Sequence, residues 1–101
     1  MKAIDKMIGK YVLIRSYASG VHAGVLEEYD MTTRHVVLKD TRRIWYWEGA
    51  FTLSAVAQNG IKEGKLSIQQ PELIVTQVEE IALFSPEGEK NIRGFKVHEI
   101  N

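Results

Sequence analysis

A chain of 101 residues is enough for one domain over 1–101 and too short for two. Its 45% hydrophobic content excludes a disordered chain, and the absence of cysteine excludes disulfides and thiolate zinc sites. A net charge of zero argues against a general nucleic-acid binder, which carries a basic excess.

Lys10–Tyr17 is rich in β-branched and aromatic residues and reads as a strand. Ala18-Ser19-Gly20 marks a turn. Val21–Tyr29 forms a second strand, with Gly24 signalling a bulge or a close backbone approach. After a turn at Asp30-Met31-Thr32-Thr33 comes a third strand, Arg34–Lys39, which completes an antiparallel meander. Asp40-Thr41 is expected to break the pattern before a fourth strand, Arg42–Trp47. Thr52 or Ser54 caps a short helix over Leu53–Gln58, with Leu53, Val56 and Ala57 facing inward, and Asn59-Gly60 stops it. Short strands follow at Lys65–Ile68, Leu73–Thr76 and Val78–Phe84. Ser85-Pro86-Glu87 starts a helix that runs to about Arg93, because it combines an N-cap, proline at the first helical position and an acid at the positive helix end. Phe95–His98 is expected to return as a last strand. The fold class is therefore mainly β or α+β: a small antiparallel sheet or open barrel with two short helices.

No apolar run approaches the ~20 residues needed to span a bilayer. Met1 to Lys10 lacks the apolar core of a signal peptide, so a cytoplasmic protein is expected. Charge is unevenly placed. Residues 1–47 hold eight Lys/Arg and five Asp/Glu, and residues 48–101 hold five and eight. The first half can carry an anion site, or the two halves can pair subunits head to tail.

The densest chemistry lies in Arg42-Arg43-Ile44-Trp45-Tyr46-Trp47. Strand alternation puts Arg43, Trp45 and Trp47 on one face and Arg42, Ile44 and Tyr46 on the other. A guanidinium fork beside flat indoles suits a phosphorylated nucleotide, because the fork holds phosphate and the ring stacks on a base. Tryptophans in the core or at a subunit interface would explain the same residues. A second constellation is the turn from Arg15 to Gly24, where small residues expose backbone N–H groups and Arg15, Ser16, Ser19 and His22 add donors. An ordinary hairpin turn is the plainer reading of it. Thr52-Leu53-Ser54 opens a helix whose N-terminus attracts anions, or simply caps it. His22, His35 and His98 have no metal-ligand spacing. The adjacent pairs Glu27-Glu28 and Glu79-Glu80 point to opposite faces, and there is no nucleophile elbow or Walker loop. Neither catalysis nor a cofactor or metal is expected. An enzyme reading would rest on His22 as its acid or base.

Arg15-Ser16-Tyr17-Ala18-Ser19-Gly20-Val21-His22-Ala23-Gly24 and the stretch from Arg42 through Trp45, Trp47, Phe51 and Leu53 to Ser54 resemble a family of small phage proteins long described as a domain of unknown function. That family includes the first-described Thoeris anti-defence sponges. The resemblance runs from about Tyr11 to Val97, and the Pro71–Gln77 stretch supports it less distinctively. It implies a phage protein in the cytoplasm of an infected bacterial host. Such a protein sequesters the immune messenger glycocyclic ADP-ribose without cleaving it, and some members also hold cyclic oligonucleotides. It implies a homodimer or a higher assembly, up to a hexamer, with pockets between subunits.

The expected ligand set joins chemistry to that resemblance. Arg15, Arg42 and Arg43 face a pyrophosphate; Trp45, Trp47 or Phe51 stacks on adenine; Tyr17, Ser19, His22 and Ser54 bond ribose or phosphate oxygens. Membranes and polymeric nucleic acid are not expected partners. The alternative is a protein- or nucleic-acid-binding structural module of phage origin, with Trp45 and Trp47 as interface anchors.

Overall fold

The structure, a computed structural model, describes residues 3–98, so the outermost residues of the expected 1–101 domain lie outside it. A 3-10 turn over Ala3–Met7, which the sequence reading missed, leads into β1 (Tyr11–Ser16), β2 (Gly20–Asp30) and β3 (His35–Glu48). There follow α1 (Leu53–Asn59), β4 (Glu63–Leu66), β5 (Gln70–Val75), β6 (Val78–Leu83) and α2 (Pro86–Gly94). The strands form one antiparallel sheet in the order β4-β3-β2-β1-β6, with β5 also paired to β3. The expected fold class holds: a mainly β open sheet with two short helices.

The sheet curls because its long strands are broken by irregularities. The β2–β3 register shifts between Ala23 and Val25 and again between Leu26 and Glu28. At the first shift a Cβ on Gly24 would lie 3.0 Å from both the Lys39 carbonyl oxygen and the Thr41 Cβ, so the expected close approach is present. The two separate strands expected at Arg34–Lys39 and Arg42–Trp47 are a single 14-residue strand. Asp40 adopts φ 50 and bends β3 without ending it, since an aspartate tolerates the left-handed region. The bend lets β3 serve two partners: Val36–Thr41 pair with β5, and Ile44–Glu48 pair with β4.

Curling produces two cores. Val12, Ile14, Leu26, Val36, Leu38, Val75 and Val78 form one of them. Tyr11, Leu13, Ala23, Ile44 and Leu66 face the other way, against Val56 and Ala57 of α1 and Ile92 of α2. Strand β1, paired on both edges, is covered on both faces, so its Tyr-Val-Leu-Ile run is continuously apolar. The helices carry the caps read from sequence. Thr52 Oγ1 accepts the Ala55 N–H at 3.1 Å, and Ser85 Oγ accepts the Gly88 N–H at 3.0 Å. No helix among the described residues is long and apolar enough to cross a membrane.

The last expected strand does not form. Phe95–His98 contributes one isolated parallel bridge, Leu66↔Val97, because a buried side chain takes up the carbonyls of this tail. The two helices meet at Gly88, where a Cβ would sit 2.2 Å from the Ala57 carbonyl oxygen. Gly88→Ala is expected to lower stability by roughly 1–3 kcal/mol in urea titration, as overpacking against a fixed backbone does. An unchanged midpoint would mean that α1 and α2 are not held in this contact.

Candidate functional site

The two adjacent arginines of β3 have opposite fates. Arg42 is 3% exposed, and its guanidinium donates to the carbonyls of Ser67 (2.9 Å), Ile92 (2.8 Å), Phe95 and Lys96 (3.1 Å). All three nitrogens of the fork, and four of its five N–H groups, donate to backbone carbonyls, so the expected phosphate role of Arg42 is replaced by a structural one. Arg43, one residue on, points to the other face and is exposed. Its guanidinium makes no hydrogen bond or ion pair among the described residues. Its backbone is locked: the Arg43 N–H donates to Ser67 Oγ at 2.8 Å, and the Ser67 N–H donates to the Arg43 carbonyl at 3.0 Å.

The tryptophans divide as well. Trp45 is 73% exposed, with the Lys65 Nζ 5.7 Å from its ring centroid. Trp47 is half-buried against the helix-side core, and its indole N–H donates to the Ala50 carbonyl at 3.2 Å. The expected shared face of Arg43, Trp45 and Trp47 fails at its last member. The β3–β4 register shifts between Ile44 and Tyr46, which resets the alternation and leaves Trp45 and Tyr46 both exposed.

Arg43 and Trp45 therefore meet at a groove of about 260 Å³, lined also by Lys65, Leu66, Ser67 and His98. Among the described residues two cationic side chains and no carboxylate line it, and an indole forms part of its wall. Lys65, Ser67 and His98 were not read from the sequence. Lys65 and Ser67 arrive through the pairing of β4 with β3, and His98 through its N–H bond to the Leu66 carbonyl at 2.9 Å. The lone hint was that Lys65 begins an expected strand.

The remaining expected residues lie around this groove or away from it. His22 is opposite Arg43 in the β2–β3 register and fully buried. Its Nε2 is 3.0 Å from Ser19 Oγ, and its Nδ1 has no partner. Burial, and secondarily the Arg43 guanidinium, push its pKa down to about 4, so the ring is neutral and reaches no ligand directly. Arg15 pairs with Glu80 across β1 and β6 at 3.1 Å, which occupies its charge at an exposed site. Tyr17 is 80% exposed in the β1–β2 turn, and Phe51 is 99% exposed in the loop after β3. Ser54 is exposed in the first turn of α1, while Thr52 is the cap. None of these last four residues lines the groove.

Two outcomes follow from this division of labour. Arg42→Met takes a donor from four carbonyls, of which that of Ile92 keeps a second donor, the Phe95 N–H, and is expected to cost roughly 3 kcal/mol or more, whereas Arg43→Ala stays within about 0.5 kcal/mol of the parent in the same denaturant titration. Equal losses would contradict the assignment. His22 gives a pH signature. Its folded pKa lies below the ordinary 6.5, so the unfolded chain takes the proton first. Stability is then complete above about pH 6.5 and declines as pH falls toward 4, by as much as about 3 kcal/mol. His22→Leu should flatten that part of the profile, and an unchanged slope in the variant would show that other groups cause it.

Comparison with known proteins adds a fold and a family. The chain is similar to a heptameric archaeal Sm protein whose structure was discussed for its implications for the eukaryotic snRNP core. The TM-score is 0.56 with 19% identity, over 81% of this chain and 96% of that one. At this identity the likeness establishes a shared fold. No curated protein matches the chain. Residues 9–92 match the family described as "Domain of unknown function (DUF6948)". That span takes in every strand and both arginines of the β3 pair, and the chain belongs to the DUF6948 family.

Proposed function

We propose that this protein binds and sequesters a phosphate-bearing nucleotide messenger of the glycocyclic ADP-ribose type, without cleaving it. The observation that carries the reading is the guanidinium of Arg43, unpaired among the described residues, beside the exposed indole of Trp45, at a groove that Lys65 also lines and to which no described carboxylate contributes. Fixed cations attract a diphosphate, and the indole offers a stacking face to adenine. The identity of the messenger, and the phage setting in an infected bacterium, rest on the resemblance of the Arg15–Gly24 and Arg42–Ser54 stretches to the Thoeris sponges. Sequestration is favoured over turnover because His22, the one candidate acid or base read from the sequence, is buried and neutral.

A groove of about 260 Å³ is small beside the roughly 300–1,000 Å³ of sites that enclose a ligand. A second copy of the chain is proposed to close it, in a homodimer or a higher assembly. Two facts support this. The fold neighbour is heptameric, and β4, β5 and β6 each pair on one side only among the described residues, with Ile74 of β5 and Leu83 of β6 exposed.

The test is to saturate the purified protein with glycocyclic ADP-ribose, remove the excess and heat-denature the complex. Intact messenger is expected in the supernatant, and recovery of cleaved product alone would overturn the proposal in favour of an enzyme. Arg43→Ala should weaken binding by about 10- to 150-fold, the loss of one charge-assisted hydrogen bond of ~1.5–3 kcal/mol. Undiminished binding by this variant would remove Arg43 from the site.

A further inference from the structure

The groove beside Trp45 is not isolated. A second hollow of about 200 Å³ adjoins it, lined by Thr41, Arg43, Ser67, Ile68, Gln70 and Leu73. Arg43 and Ser67 line both. They form a rigid ridge, because the two residues exchange hydrogen bonds through the Arg43 N–H, the Ser67 hydroxyl and the Ser67 N–H. The Ser67 hydroxyl also donates to the Ile68 carbonyl at 3.0 Å, so it has no proton left for a ligand. The Arg43 guanidinium is the part of the ridge with free donors.

The chemistry on the two sides differs. On the first side stand the Trp45 indole, Lys65 and His98. On the second, Ile68 (58% exposed) and half-buried Leu73 provide an apolar surface, and exposed Gln70 provides a carboxamide. Gln70 lies opposite Thr41 in the β3–β5 ladder, which fixes its backbone beside the hollow. A carboxamide both donates and accepts, which is the pattern needed to bond the edge of a heterocycle. Each hollow alone falls below the size of a ligand site, and the pair spans it.

We infer that the site is two-lobed and takes a molecule with a central phosphate group and a ring-bearing group on each side, with Gln70 as a specificity-determining residue of the second lobe. This inference rests on the nucleotide reading of the first groove. Arg43 holds the phosphate on the ridge, Trp45 stacks on one ring, and Ile68, Leu73 and Gln70 receive the other. A mononucleotide fills only the Trp45 lobe.

Calorimetric titration of the full chain with ADP and with diadenosine pyrophosphate tests this, with glycocyclic ADP-ribose as the control for the preceding proposal. Diadenosine pyrophosphate is expected to bind at least tenfold more tightly than ADP. Gln70→Ala should remove most of that advantage and leave ADP affinity unchanged, while Trp45→Ala weakens both. Ile68→Ala gives a second reading of the same lobe, and thermal midpoints equal to the parent confirm that both variants fold. Equal affinity for the two probes, or Gln70→Ala weakening ADP as much as diadenosine pyrophosphate, overturns the two-lobed site and leaves messenger binding standing. Failure of glycocyclic ADP-ribose and both probes to bind overturns both readings.

Discussion

The buried guanidinium of Arg42 ties together parts of the chain that no ladder joins. A charge taken out of water is costly unless its hydrogen-bonding capacity is met. Here the partners are backbone carbonyls from the β4–β5 connection, the end of α2 and the tail beyond it. No carboxylate among the described residues forms an ion pair with Arg42. The arrangement adds a charged donor to the Ile92 carbonyl near the C-terminus of α2, which also accepts the Phe95 N–H, and satisfies the Phe95 and Lys96 carbonyls just beyond the helix. It also holds the tail beside β4, where the His98 N–H reaches Leu66 and the His98 side chain reaches the groove. The candidate site depends on this clasp although Arg42 does not line it.

Strand geometry separates scaffold from site within two residues. Successive side chains of β3 point to opposite faces, so Arg42 enters the helix-side core and Arg43 stands over the groove. The register shift after Ile44 performs a similar division on the tryptophans, sending Trp47 to the core and leaving Trp45 in the open. The groove thus combines a fixed backbone, two cations and one aromatic face, the features on which the proposed nucleotide reading rests. Burial of His22 next to Arg43 in the register keeps that neighbouring ring uncharged.

Much of the fold was legible because local signals and tertiary packing agree. The apolar run at β1, the glycine at the β2 bulge and the caps Thr52 and Ser85 each encode a feature that short-range physics decides. The misreadings share another cause, in that each turned on a long-range partner. Asp40-Thr41 reads as a break, yet pairing to β2 and β5 carries β3 through it. Phe95–His98 reads as a strand, yet Arg42 takes its carbonyls. Arg42 and Arg43 are indistinguishable in sequence, and alternation says only that they differ in face. Which face is covered depends on where the helices pack. Lys65, Ser67 and His98 lie 22 or more positions from Arg43, and no local pattern brings them to it.

The two indoles offer the most direct test, since one is placed in the groove and the other in the core. In a 1H–15N spectrum of the protein titrated with glycocyclic ADP-ribose, the Trp45 indole resonance should shift and saturate while that of Trp47 stays in place. A shift confined to Trp47, or no shift of either indole in the presence of excess messenger, would contradict the assignment of Arg43 and Trp45 as the binding surface.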